Sequence, residues 1–374
     1  MIRRLSPTRF LFVTVLMLCL TVAGGVGATE HPGEIGAVPG MPSGEILEVK
    51  PAGERRSGTS FTPTVALSPV YDVVYGFAYF RSLPEKPGFE YGAKINGTAE
   101  DGESFQFNYD KWTSPKRLFS LRFSCSTFFD PYYGEGNDTD EDSDVRLEGT
   151  RYRMQLFAKR SIGGSFTAGP YLDIRTRDEQ SVDGDSALRV IPDEASMALG
   201  ACVTYDTRDS TMSPSLGQFA EFRLAYVPDA LTTLDNTNGF ASGSVDIRLF
   251  DSLAPGWIIG GRLHFGSSLG GPSYLFRHTL GGPDDLRGYL INRFRGNSFY
   301  LVQWETRFPL LWVFTGAAFA GLGDVGDDSF RRPKWSAGLG IRASLPPDWV
   351  KKARVDVAWS EDQHAVRFLF GEAF

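Results

Sequence analysis

The chain has 374 residues, of which 42% are hydrophobic and 22% are charged, and its net charge is −7. The apolar content excludes an intrinsically disordered chain, and 3 cysteines are too few for a disulfide scaffold. The negative charge argues against a nucleic-acid partner, because proteins that bind phosphate backbones are usually basic. With 42 glycines and 29 phenylalanines, the composition favours one large β domain over two soluble domains.

Residues 1–28 are predicted to be a cleaved secretory signal peptide. Arg3, Arg4 and Arg9 precede the uncharged apolar segment 10–23, and small residues follow at the expected cleavage site. No later segment is a long apolar run, so the sequence predicts no membrane-spanning helix.

The rest of the chain divides into a short lead-in and one domain. Residues 29–59 are rich in Gly, Pro and Glu and show no period, so we predict a flexible periplasmic lead-in. Residues 60–374 alternate apolar and polar side chains. Phe105, Phe107 and Tyr109, for example, alternate with polar residues. This period of two predicts strands throughout.

Two architectures produce such alternation: a soluble sandwich and a transmembrane barrel with a polar lumen. The predicted strands run about ten to fifteen residues, which is long for a sandwich and suits a tilted crossing of a bilayer. We therefore predict an all-β fold, a transmembrane antiparallel barrel of sixteen strands. The predicted strands start near residues 61, 72, 89, 103, 117, 145, 164, 194, 217, 240, 256, 297, 311, 334, 353 and 364.

The connections support the barrel independently. If both ends of the domain face the periplasm, the long connections 130–144, 179–193, 230–239 and 271–296 all face outside, and most of the connections on the other side are short. Long outer loops and short inner turns are typical of outer-membrane barrels.

The end of the chain alternates as well. The last nine residues contain Phe368, Phe370 and Phe374 at alternating positions. A terminal aromatic residue on an alternating strand resembles the insertion signal of outer-membrane proteins. The alternative is an ordinary last strand.

One segment carries a specific resemblance. Residues 280–289 read Leu-Gly-Gly-Pro-Asp-Asp-Leu-Arg-Gly-Tyr, in a long outer loop followed by five predicted strands. Leu286, Arg287, Gly288 and Tyr289 resemble the loop signature of the bacterial surface-antigen superfamily, the BamA and TamA type of assembly barrel. This resemblance covers roughly 60–374.

The resemblance implies that the loop folds back into the lumen and that its arginine, Arg287, pairs with acids on the barrel wall. Glu305, on the twelfth predicted strand, matches the first wall acid. Gly321 stands where the family has the second acid, which leaves Asp324 as the substitute from a shifted position. The alternative is that Arg287 is an ordinary solvated charge.

Family members that insert or translocate polypeptides usually carry periplasmic POTRA repeats before the barrel. The lead-in is too short for one repeat, so we expect the chain to lack them or to borrow this part from a periplasmic partner.

The first and last strands should meet at a weak lateral seam, formed by Phe61, Pro63, Val65, Leu67 and Val366. Proline cannot donate to a strand ladder, which weakens the first strand. In the family, a weak seam is a lateral gate at which a client strand can add to an exposed edge.

Several motifs are better explained by structure than by chemistry. Residues 266–270 fit G-x-S-x-G and residues 321–326 fit G-x-G-x-x-G, but neither precedes a predicted helix. The acidic residues 138–144 could form a calcium loop, although they lack its required glycine and glutamate. We therefore predict no enzyme, no cofactor and no metal site.

The sequence predicts a protein of the bacterial outer membrane that contacts lipid and handles polypeptide clients, without nucleic acid. The alternative is a passive pore or a structural surface protein that keeps the family barrel.

Overall fold

The computed structural model describes residues 58–374, except for 69, 84–88, 99–101, 115, 128, 140–144, 184–192, 211–212, 235–237, 312, 328, 345–351, 362–363 and 371. The predicted signal peptide and nearly all of the predicted lead-in lie outside the described residues. Within the described part of the chain, no helix is long and apolar enough to span a bilayer.

The described chain is almost entirely β-structure. Its strands are β1 (Gly58–Ser68), β2 (Asp72–Leu83), β3 (Phe89–Thr98), β4 (Glu103–Ser114), β5 (Arg117–Ser126), β6 (Asp130–Tyr132), β7 (Val145–Gly163), β8 (Phe166–Asp183), β9 (Glu194–Asp206), β10 (Gly217–Val227), β11 (Phe240–Ala254), β12 (Trp257–Leu269), β13 (His278–Leu280), β14 (Phe294–Gly296), β15 (Ser298–Pro309), β16 (Phe314–Gly326), β17 (Lys334–Ser344), β18 (Lys352–Ser360) and β19 (His364–Phe370).

Sixteen of these strands are long and form one antiparallel sheet in chain order, with the short β6 added beside β7. Each predicted strand start lies within three residues of the start of one of these strands. The prediction of a sixteen-stranded antiparallel fold is confirmed. The two remaining short strands, β13 and β14, form a separate hairpin within the connection from β12 to β15.

The side chains are distributed inside out relative to a soluble protein. Large apolar side chains such as Phe77 and Leu339 are more than half exposed, whereas Arg342 and Asp356 are almost completely buried. In water this arrangement would expose apolar surface and desolvate charge at the same time. In a bilayer it places apolar side chains against lipid and pairs the charges in the lumen.

The first and last strands share one residue pair. Leu67 of β1 pairs with Phe368 of β19, whereas β1 pairs with β2 along its whole length. Along β1 the structure describes the backbone, and the side chains of Phe61, Pro63, Val65 and Leu67 lie outside the described residues. Val366 of β19 pairs with β18 and its side chain is exposed.

Candidate functional site

The connection from β12 to β15, residues 270–297, is the lumen loop. Its hairpin of β13 and β14 supports a tight turn in which the Tyr289 N–H donates to the Leu286 carbonyl at 3.0 Å. Gly281 takes φ of +108°, and a Cβ there would lie 2.5 Å from the carbonyl oxygen of Leu290. Only glycine accommodates this backbone without strain, which explains the Gly-Gly pair before the motif.

The motif residues seat the turn by packing. Leu286 and Tyr289 are buried in one apolar cluster with side chains from the loop and the barrel wall. A Cβ on Gly288 would lie 2.8 Å from the Ser360 Cβ, so the loop backbone approaches β18 too closely for any other residue. A Cβ on Gly321 would lie 3.1 Å from Leu286, so the missing wall acid leaves room for the leucine of the loop.

Arg287 lies in the lumen and is 1% exposed. Its Nη1 lies 2.6 Å from Glu305 Oε2 on β15 and 3.6 Å from Asp356 Oδ2 on β18. The guanidinium also lies over the Phe319 ring, 3.9 Å from the centroid. None of its nitrogens makes a hydrogen bond of good geometry, so the arginine is held by charge and by the ring face.

Glu305 is shared among three arginines. Besides Arg287, Arg307 Nε donates to its Oε1 at 2.8 Å, and Arg342 Nη2 donates to its Oε2 at 3.4 Å. Arg342 also contacts Asp356. Because these groups are buried together, removing any one charge leaves its partners unpaired in a desolvated site.

Asp324 is not brought to Arg287. Its carboxylate accepts from the Asn137 side chain and, at 3.0 Å, from the Arg332 N–H. On β16, Phe319 faces the arginine, and Asp324 lies five residues further along, about 17 Å at the usual rise of a strand. The predicted pairing is corrected: the second acid beside Arg287 is Asp356.

Four further contacts that the motif did not indicate, two hydrogen bonds and two ion pairs, hold the loop at its tip. Gln303 Nε2 donates to the carbonyls of Asp284 and Asp285, at 3.0 Å and 2.6 Å. The Asp284 carboxylate lies 2.6 Å from Arg354 Nη2, and that of Asp285 lies 3.5 Å from Arg262 Nη1. These arginines come from β18 and β12, so two strands that are not neighbours in the sheet both hold the tip.

The last strand also holds the motif. Arg367 of β19 donates through Nη1 to the Arg287 carbonyl at 2.8 Å and through Nη2 to the Tyr289 carbonyl. A side chain on the seam strand therefore fixes the backbone on both sides of Gly288. The sequence offered only the alternation of β19 as a signal for this contact.

The outer end of the loop is tied to the wall through Asp130. Its carboxylate accepts from the Tyr274 hydroxyl at 2.7 Å and from the Asn292 amide at 2.9 Å, and it pairs with Arg295 at 3.3 Å and Arg151 at 3.0 Å. A charged hydrogen-bonded network of this kind fixes the base of the loop as the Arg287 cluster fixes its tip.

The aromatic residues of the predicted insertion signal occupy different places. Phe368 and Phe370 lie on β19, where they pair with Val355 and Ala353 of β18. Phe374 lies beyond β19 and is buried beside Phe250 of β11, with ring centroids 6.0 Å apart. Phe374 therefore does not continue the alternating strand.

The motifs that the sequence analysis set aside are parts of the wall and loops. Ser268 is buried on β12, donates to Ser242 at 2.9 Å and lies 3.2 Å from His278, and residues 321–326 all lie in β16. Most of the acidic run 138–144 lies outside the described residues, and Asp138 contacts Arg332. Among the residues that are described, no group of three His, Cys, Asp or Glu side chains forms a metal site.

Comparison with known proteins decides the family. Residues 89–374 match the model of the Omp85 superfamily domain.

The chain belongs to the Omp85 superfamily.

Solved Omp85-type structures share the fold at low sequence identity. A search of curated proteins finds no match. CdiB from Escherichia coli superposes with a TM-score of 0.61 at 14% identity, covering 83% of this chain and 62% of that one. CdiB from Acinetobacter baumannii gives 0.55 at 10%, covering 84% and 59%. BamA from Haemophilus ducreyi lacking POTRA domains 1–3 gives 0.57 at 12%, covering 85% and 70%.

As an Omp85 barrel, the protein belongs to the bacterial outer membrane, as the sequence predicted. The lumen loop is then the long outer loop of the family, and the exposed apolar faces of its strands contact lipid. The chain covers less than two thirds of the length of the two CdiB chains.

Proposed function

We propose that this Omp85 barrel inserts or translocates polypeptides at the outer membrane, with the lumen loop as its moving part. The observation that carries the proposal is the double hold on the motif. Arg287 is paired to the wall acids Glu305 and Asp356, and Arg367 of the seam strand grips the same turn by its backbone. A loop that only plugged a passive pore would not need to be tied to the seam.

The seam supplies the route. The described backbone contains one residue pair between β1 and β19, Leu67 with Phe368, so the ladder that joins these two edges is much shorter than those of β1 with β2 and of β19 with β18. Such edges accept an additional strand by main-chain hydrogen bonds, which is the general means by which one polypeptide adds to another's sheet.

The direct test is the outer-membrane proteome of a deletion strain. We expect specific outer-membrane or exported proteins to fall in abundance, and complementation by the wild-type gene to restore them. Arg287→Ala should fail to complement, whereas the exposed Arg331→Ala should complement fully. A deletion strain with an unchanged proteome would overturn the proposal.

A reversible cross-link tests the seam. In the double variant Leu67→Cys with Phe368→Cys, oxidation should abolish complementation and a reducing agent should restore it. Complementation by each single variant should not change on oxidation. If the oxidised double variant complements normally, clients do not pass through this seam.

The alternative of a passive pore makes a different prediction. Purified protein in planar bilayers would then show a steady, high conductance without any client. The structure favours low conductance, because the lumen loop and its ion pairs fill part of the lumen.

We further propose that residues 1–28 are removed on export, that 29–59 form the periplasmic lead-in, and that a periplasmic partner assists the barrel. Sequencing of the mature N-terminus should begin at Thr29. Co-purification from outer membranes followed by mass spectrometry should recover clients or the partner. Recovery of the barrel alone under mild solubilisation would count against an assisting partner.

A further inference from the structure

The last residues of the chain turn into the lumen. Residues 372–374, the C-terminal tail, follow β19 and belong to no strand. Glu372 is 3% exposed at its side chain and lies 3.1 Å from Arg342 Nε and 3.7 Å from Arg307 Nε. Ala373 and Phe374 are buried. The tail therefore reaches the same arginines that hold Glu305.

The tail completes the charge balance of the Arg287 cluster. Among the described residues, ion pairs link four guanidinium groups, of Arg287, Arg307, Arg342 and Arg354, to four carboxylates. Glu305, Asp356 and Asp284 supply three of the carboxylates, and Glu372 supplies the fourth. Without the tail, one buried positive charge would lack a counter-charge, and a desolvated unpaired charge is strongly unfavourable.

The surroundings of the tail form a seat with two kinds of contact. The Phe374 ring packs against Phe250, and a Cβ on Gly260 would lie 3.3 Å from that ring, so this glycine makes room for the aromatic side chain. Arg307 Nη2 donates to the Phe374 carbonyl oxygen at 3.5 Å, and Ser213 Oγ donates to Glu372 at 3.5 Å.

The tail is not part of the strand ladder of the barrel. Because residues 372–374 form no strand, their departure breaks no ladder hydrogen bond of β19. What it removes is one carboxylate from the cluster and one ring from an apolar slot. The loss of the carboxylate falls on Arg307 and Arg342, the two arginines that share Glu305 with Arg287.

We propose that the C-terminal tail is a tethered internal ligand of the lumen. The seat formed by Arg307, Arg342, Phe250 and Gly260 binds a short segment with a glutamate and, two residues later, an aromatic side chain. Its occupation by the chain's own tail holds the lumen loop in place, and its release loosens the loop. The contacts of residues 372–374 define the seat and its occupant whatever the protein does. Only the biological use of loop release rests on the proposed function.

The test uses the full-length purified protein, refolded into detergent and reconstituted in planar lipid bilayers. Three variants are compared with wild type: a truncation after residue 371, Glu372→Gln, and the control Glu361→Gln. Glu361 is an exposed acid near the other end of β19, paired with Lys334. The tripeptides Glu-Ala-Phe and Gln-Ala-Phe are then added to the periplasmic side in excess.

We expect the truncation and Glu372→Gln to raise the open probability by about tenfold or more, because both leave a buried cation unpaired. Glu361→Gln should match wild type. Glu-Ala-Phe should return the truncated barrel toward wild-type conductance, and Gln-Ala-Phe should not.

Unchanged conductance of either folded variant would overturn the proposal, and so would equal rescue by the two peptides. If the truncation does not refold, Glu372→Gln decides, because it keeps Phe374. If Glu372→Gln itself does not fold, the tail is a fixed part of the core and the proposal is wrong. None of these readouts needs a client, so the proposed function can fail while this inference stands.

Discussion

Glu305→Gln is the substitution that most directly tests the charge cluster. Glutamine keeps the size of the side chain and removes its charge, so the effect reports on electrostatics rather than on packing. Glu305 has guanidinium nitrogens of Arg287, Arg307 and Arg342 at 2.6, 2.8 and 3.4 Å. After the change, the linked buried arginines outnumber the carboxylates of the cluster by one.

Removing one partner of a buried ion pair typically costs about 3–5 kcal/mol, because the remaining charge stays desolvated without compensation. We expect Glu305→Gln to lower the free energy of unfolding by about this amount. The measurement is equilibrium unfolding by guanidinium chloride in detergent micelles, followed by tryptophan fluorescence and by the heat-dependent gel shift of the folded barrel. Glu361→Gln, which removes an exposed carboxylate from its pair with Lys334, should shift the midpoint far less.

The double variant Glu305→Gln with Arg287→Ala separates charge from other effects. It leaves equal numbers of arginines and acids in the cluster, so its loss should be smaller than the sum of the single losses by about 0.5–3 kcal/mol. Additive losses, or a wild-type midpoint for Glu305→Gln, would refute the argument that the cluster is held by mutual compensation of buried charges.

Three other changes test the packing of the loop and of an inner turn. Gly288→Ala should lower the free energy of unfolding by about 1–3 kcal/mol, because its methyl group has no room, whereas Gly261→Ala, with no atom nearer than 3.9 Å to the added Cβ, should be close to neutral in the same assay. Gly321→Asp, which restores the family's acid, should destabilise the barrel rather than strengthen it, because Leu286 occupies that space; a raised unfolding midpoint would contradict this. Burial raises the pKa of the Asp209 carboxyl, but hydrogen bonds within its own turn outweigh this effect and hold the pKa below its usual range. That contribution is therefore present above the pKa of the unfolded chain and lost as the pH falls through the folded pKa, so the turn should become protease-sensitive at acid pH in wild type and already at neutral pH in Asp209→Asn.

The fold could be predicted because the two faces of a barrel strand appear in the sequence as alternating apolar and polar residues. Each strand meets lipid on one side and a polar lumen on the other, so the period of two holds whatever the neighbours are. The positions of the site residues were harder to predict. The position of Arg287 along the lumen depends on how a long loop descends, and no local pattern encodes that depth. Glu305 was predicted from the motif, but Asp356, on another strand, was not.

The prediction that the last strand continues to Phe374 failed for a similar reason. Phe374 continues the spacing of Phe368 and Phe370, so alternation alone extends the strand to the last residue. The ladder instead stops at Phe370, and the tail turns inward to arginines that lie far away in the sequence. Glu372, an acid near the end of an otherwise aromatic and small-residue segment, was the one signal, and its meaning required the positions of Arg307 and Arg342.

The contacts of β19 also indicate which two strands would separate if the barrel opened. With β18 it shares seven residue pairs, and with the lumen loop it shares the two hydrogen bonds of Arg367. With β1 it shares one residue pair, whereas β1 shares eleven with β2. Among the described strand pairs of the large sheet, separation at the seam therefore breaks the shortest ladder, and it leaves β19 attached to the loop while β1 leaves with β2. For the loop to move as well, the Arg367 contacts or the Arg287 cluster must give way. Opening the seam and releasing the loop are thus separate steps, linked by one arginine and by the tail that ends the same strand.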